Sequence, residues 1–96
     1  MPMKNPPHPG QMIGDSLDAM GVSIVTAAKA IGVSRQQLHN LIAGRCSIMP
    51  EMAYRLEKTL GSTADTWLRL QASYDLAQVR ARAASIKVGR LAPKVA

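Results

Sequence analysis

"GVSRQQLHNLIAG", residues 32–44, is bounded by glycines, and Ser34 stands just inside the first of them. Leu38, Leu41 and Ile42 recur at the spacing of one helical face, so this stretch predicts a short helix. Ser34 suits its N-cap, and Gly44 suits its end. With the aliphatic residues inward, Arg35, Gln36, His39, Asn40 and Ala43 face outward, and Gln37 lies near the boundary. Four or five forked or ring side chains on one side of so short a helix call for a partner with hydrogen-bonding edges.

The flanks give this helix its setting. Ser23 can cap a preceding helix that runs to Ile31, with Gly32 in the left-handed conformation that stops it. Only Gly32, Val33 and Ser34 then link the two helices, and a glycine followed by an apolar residue is what a helix-turn-helix uses there. Val33 would plug the angle, and Ala28 is small enough to let the helices approach. Upstream, Pro9 suits a first helical position with His8 as its cap, and Ile13, Leu17 and Met20 form one stripe ending before Gly21. Downstream, "RCSIM" is a loop, and Pro50 starts a fourth helix with Met52, Ala53, Leu56 and Leu60 inward. Gly61 stops it, and Ser62 with Asp65 forms a shortened capping box for a fifth, longest helix reaching about Ala84. Residues 1–8 predict an extended, proline-rich arm. Residues 85–96, with Lys87, Arg90 and Lys94, predict a mobile basic tail. The expected fold is all-α, a single five-helix domain over residues 9–84.

Charge and composition narrow the partner. A formal charge of +6 points to an anion, and no acid occurs between Met20 and Pro50. Arg can grip guanine O6 and N7, and Asn or Gln can grip adenine N6 and N7, so the outer face of 35–40 suits the major groove. Ser34 and the exposed amides beside it can hold a phosphate. Cys46 is the one cysteine, which excludes an intramolecular disulfide and fits a reducing cytoplasm. No apolar run is long enough for a membrane span, and "MPMKNPPHPG" lacks a signal-peptide core. Cys46 has no histidine close in sequence to serve as base. His8 and His39 are too few and too far apart for zinc, and the six carboxylates Asp15, Asp18, Glu51, Glu57, Asp65 and Asp75 form no metal-like cluster. No enzyme, metal, cofactor or small-molecule substrate is expected.

"AAKAIGVSRQQLHNLIAG" resembles the helix-turn-helix of Xre-type phage repressors. With "HPGQMI", "SIMPEMAYRLEKTLG" and "TWLRLQASYDLAQ", the chain resembles HigA-type (VapI-like) antitoxins of type II toxin–antitoxin modules from residue 8 to about residue 80. The resemblance implies a lambda-repressor-like domain acting as a homodimer on a palindromic operator and repressing its own operon. It also implies a cognate HigB-like toxin as partner, an mRNA endonuclease of the RelE-like fold. On matching positions, base reading falls to Arg35, Gln36 and Asn40, with Gln37 and His39 beside them. Phosphate contacts fall to Ser23, Ser34, Arg45 and Ser47, and to backbone amides from Gly44 to Ser47. Three positions depart from the pattern. Ile24 and Val25 replace a polar pair, Ala27 replaces a leucine, and Met49 replaces the usual Ser or Thr cap of the fourth helix.

The fifth helix carries more apolar surface than one stripe requires. Trp67, Leu70, Tyr74 and Ala77 form one line, and Leu68, Ala72, Leu76, Val79 and Ala83 form another. One line can close the core and leave the other for a second subunit, with Leu68, Ala72, Leu76 and Val79 as its expected contacts. The first helix with the proline-rich arm is the alternative dimer surface, and a stand-alone repressor without a toxin is the alternative function.

Overall fold

The computed structural model describes residues 5–94. Five helices follow one another: α1 (Pro9–Met20), α2 (Ile24–Ile31), α3 (Arg35–Ile42), α4 (Pro50–Thr59) and α5 (Ala64–Ala81). A 3-10 turn, Ala83–Ser85, closes the series, and no strand occurs among the described residues. The fold is the all-α, five-helix arrangement expected from the sequence.

The helix ends are set by local chemistry. His8 Nδ1 accepts the Gly10 N–H at 2.9 Å, so the ring caps α1 while Pro9 occupies its first position. Ser23 and Ser34 cap α2 and α3 through their Oγ atoms. At the end of α3 the Arg45 N–H reaches Asn40 O and the Gly44 N–H reaches Leu41 O, the paired bonds of a Schellman turn. Gly44 supplies the positive φ (76°) that this turn needs. Met49 makes no side-chain cap on α4, and Ser47 does not take its place.

Three expectations need correction. Met20 is 60% exposed rather than part of the buried stripe. The chain turns back at Gly21, the Val22 N–H bonds Leu17 O, and Val22 packs against the core in place of Met20. Thr63, not Ser62, caps α5: its Oγ1 accepts the Thr66 N–H at 3.1 Å, while Ser62 holds a left-handed turn with φ 61°. The α-helix stops at Ala81 rather than Ala84, because every described residue from Ala81 onward is exposed and helix propensity alone does not hold a last turn. Beyond Ser85 the described tail has no regular structure and is exposed throughout. Of the arm, residues 5–8 are non-helical as expected, and residues 1–4 lie outside the described part.

The core is small and aliphatic. Ile13, Leu17, Ala27, Ala28, Ile31, Leu38, Leu41, Ala53 and Leu56 meet with Trp67, whose indole N–H donates to Gly61 O at 3.1 Å. Ile48, from the loop after α3, is buried with them. Its N–H donates to Oε1 of the buried Gln71 at 2.8 Å, and Gln71 Nε2 donates to Asp75. That side chain ties the loop to α5 and satisfies an amide that would otherwise be buried without a partner. At the other end of the core, Gly10 of α1 lies against the backbone of Leu41. A Cβ there would fall on the Leu41 carbonyl oxygen.

This contact separates two glycines of one helix. Gly10→Ala should cost about 3 kcal/mol, the upper end of ordinary overpacking, because the obstacle is backbone and cannot swing away. Gly14→Ala faces only the Ile42 Cγ2 at 3.1 Å and gains helix propensity, so it should change stability by less than about 1 kcal/mol. Urea denaturation midpoints of the two variants measure the difference.

Candidate nucleic-acid interface

The site begins with the turn between α2 and α3. The N–H groups of Gly32 and Val33 both bond Ala28 O, at 2.9 and 3.0 Å, which ends α2 within one residue. Gly32 has φ 84°, and Val33 packs half-buried into the angle between the helices, over the buried Ala28. Arg55 completes the turn from α4. Its Nη1 donates to Ile31 O at 3.0 Å and to Gly32 O at 3.3 Å, placing a cation at the negative end of α2. A Cβ on Gly32 would come within 2.6 Å of that Nη1, so the guanidinium would have to shift, and the positive φ is what favours glycine here.

Sequence reasoning missed Arg55 because its partners are two carbonyls more than twenty residues upstream. Its position one residue before the buried Leu56 was the available hint. It missed Gln71 for a similar reason, although Gln71 stands one helical turn after the buried Trp67.

The turn holds α3 with its polar side outward. Arg35, Gln36, Gln37 and His39 are exposed, and Asn40 is half-buried. Ser34, Arg35, Gln36 and His39 line one shallow depression with Ile24 of α2. Gln37, Asn40, Cys46, Ser47 and Arg55 line a second one, which also carries Glu51 at the first turn of α4. Among the described residues the one ion pair is Lys58–Glu57, so no carboxylate neutralises Arg35 or Arg45.

Within this face the side chains are not equally free. Gln37 folds back: its Oε1 accepts the Ser34 N–H at 3.0 Å while Ser34 Oγ accepts the Gln37 N–H at 3.0 Å. This reciprocal capping box engages the Gln37 amide oxygen and leaves its Nε2 hydrogens for a partner. Ser34 keeps its O–H hydrogen for a phosphate. Ser23 uses its own, donating to Thr26 Oγ1 at 3.1 Å. Of the amides between Gly44 and Ser47, the first two are spent in the turn after α3, which leaves those of Cys46 and Ser47 with the exposed Arg45 side chain. His39 is exposed beside Arg35 and Gln36.

A family model described as helix-turn-helix matches residues 15–67, more than half of the chain. Virulence-associated protein A' of Dichelobacter nodosus is 49% identical over 78 residues, which cover 80% of this chain and 68% of that protein. Antitoxin HigA-1 of Vibrio cholerae is 35% identical over 80 residues, covering 82% and 75% of the two chains. The solved structure of Pseudomonas aeruginosa antitoxin HigA with the higBA promoter superposes with a TM-score of 0.78 at 29% identity, covering 84% of this chain and 89% of that one. The chain belongs to the HigA-type branch of the Xre-type helix-turn-helix family.

Members of this family are DNA-binding regulators rather than enzymes. Among the described residues no helix is long and apolar enough to cross a membrane. The expected subunit-contact residues of this HigA-type chain are divided by the fold. Leu68 is half-buried and packs against the core, Val79 is half-buried, and Ala72 and Leu76 are exposed, Leu76 at 47%. Leu76 also lines an apolar groove with Pro6, Pro7, Met12, Leu70 and Ala77.

The Arg55 clamp can be tested directly. Arg55→Met keeps the aliphatic stem and removes two charge-assisted hydrogen bonds, so it should destabilise the fold by about 1.5–3 kcal/mol. An unchanged denaturation midpoint would show that water replaces the guanidinium at no cost.

Proposed function

We propose that the chain is an autoregulating antitoxin of a type II toxin–antitoxin module. It acts in the cytoplasm as a homodimer on the palindromic operator of its own operon and neutralises a HigB-like toxin of the RelE-like fold. The observation that carries the DNA half is the outer face of α3, where Arg35, Gln36, His39 and Asn40 stand together with no acid paired to them. That α3 enters the major groove is supported by the solved relative's complex with a promoter. The toxin half is supported by the antitoxin name of the Vibrio cholerae relative. Co-purification with the product of the adjoining reading frame tests it. A chain that shifts its own promoter in a gel but retains no such partner is a stand-alone repressor instead.

Base and phosphate contacts should separate by their response to sequence and salt. Arg35→Ala or Asn40→Ala should cost about 1–3 kcal/mol per half-site and relax preference at one base pair. Arg45→Ala should weaken all sequences alike and flatten the salt dependence by about one unit of slope, as loss of a phosphate contact does. Titration of operator and scrambled duplexes at several stated salt concentrations checks both.

A two-fold axis must set two copies of α3 about one turn of DNA (~34 Å) apart. We assign the subunit contact to the exposed part of α5 around Ala72, Leu76 and Val79. Leu76 also borders Met12 and the prolines of the arm, the alternative surface considered from sequence. Leu76→Asp would bury an unpaired carboxylate there and should favour monomers. Sedimentation should give about half the dimer mass, with operator affinity falling far more than non-specific affinity. A folded, dimeric, operator-competent Leu76→Asp protein would remove α5 from the interface.

A further inference from the structure

The outward side chains of α3 include one bond that the proposed function does not require. Gln36 Nε2 donates to Asn40 Oδ1 at 2.9 Å across one helical turn. The two residues are not alike in their surroundings. Gln36 is exposed, whereas Asn40 is half-buried, and its backbone carbonyl is engaged by the Arg45 N–H at 2.9 Å. The backbone of Asn40 is therefore held, while the amide at the end of its side chain retains a two-fold choice of orientation. Turning both amides together would keep this bond, so it fixes where the Asn40 side chain lies rather than which of its atoms faces which way.

We propose that Gln36 is a positioning residue for Asn40, holding in place the side-chain amide with which Asn40 reads adenine. The proposal rests on the assignment of α3 as the base-reading helix. An amide oxygen has two acceptor sites, so Oδ1 keeps one after bonding Gln36, and Nδ2 keeps both hydrogens. Asn40 thus presents one acceptor beside one donor. Adenine is the base whose major-groove edge answers both, with N6–H₂ donating and N7 accepting. Guanine offers two acceptors there and leaves Oδ1 without a donor. Without Gln36 the Asn40 side chain is free to leave the position from which its amide meets the adenine edge. Ordering it on binding then costs entropy that the Gln36 bond has already met in the free protein.

Binding to a panel of operators carrying each of the four base pairs in turn at every half-site position tests this, with thermal unfolding of each variant as the control. The wild-type protein should prefer adenine by roughly 5- to 150-fold at one position. Asn40→Ala should abolish that preference, which identifies the position. Gln36→Met, of similar length but unable to donate, should lower the preference at that same position by roughly 2- to 10-fold although Asn40 is intact. In the Asn40→Ala background the same change should have no further effect there. Gln36→Glu can only accept, so it should draw Asn40 Nδ2 towards itself and lower the adenine preference further than Gln36→Met does. A Gln36→Met protein that keeps the full preference at the Asn40 position overturns the proposal, as does a base other than adenine there. If Asn40→Ala leaves every position unchanged, it is the assignment of α3 that has failed, and the proposal with it. Both residues lie on the outer face of α3, so unfolding midpoints should stay within about 4 °C of wild type, the range that surface changes produce.

Discussion

One guanidinium, contributed by α4, governs the direction of the polar outer face of α3. Arg55 donates to the last carbonyl of α2 and to that of the glycine after it, where the chain bends into α3. The turn is too short to be stabilised by packing of its own, since Val33 is its one apolar residue. Arg55 supplies what packing does not: a charged donor at carbonyls that the end of a helix leaves unbonded. Because α4 also contributes Ala53 and Leu56 to the core, the angle between α2 and α3 is referred to the whole domain. The outward face of α3 therefore has a fixed direction before any partner arrives.

Two further backbone contacts extend the same logic. Gly10 lets α1 approach the Leu41 carbonyl, and the Gln71 amide holds the Ile48 N–H. Alanine and medium-sized aliphatic residues make up most of this core, and such side chains allow close approach but constrain direction weakly. Polar contacts to backbone set the direction instead. Each joins elements distant in sequence, and each lies at one end of α3 or of its flanking loop. Helix α3 is thereby fastened at its start by the clamped turn, and at its end by α1 and α5.

The fifth helix serves two ends of the molecule. Its first half is committed to the fold: Thr63 and Glu57 satisfy amides at its start, Trp67 closes the core, and Gln71 reaches the loop after α3. Past Tyr74, whose ring meets the His8 imidazole edge-on at 4.8 Å, burial declines and Leu76 stands exposed. One amphipathic helix thus joins the interior that supports α3 to an apolar surface on which a second subunit can form.

Local chemistry was legible in the sequence because its determinants lie a few residues apart. His8 before Pro9, Ser23 and Ser34 act on amides two or three positions on, and glycines at 21, 32, 44 and 61 end helices. The periodicity of Leu38, Leu41 and Ile42 likewise determined which side of α3 points outward. Sequence failed where two local solutions competed, as with Ser62 and Thr63, or where a fold-back replaced one apolar residue with another, as with Met20 and Val22. Which bonds the outward side chains make was decided only in the folded helix. Gln37 is drawn into the cap, Gln36 is bonded to Asn40, and Arg35 is left without an acid. Arg55 and Gln71 were beyond sequence altogether, because a side chain's spacing shows which face it occupies but not which distant carbonyl or amide needs a partner there.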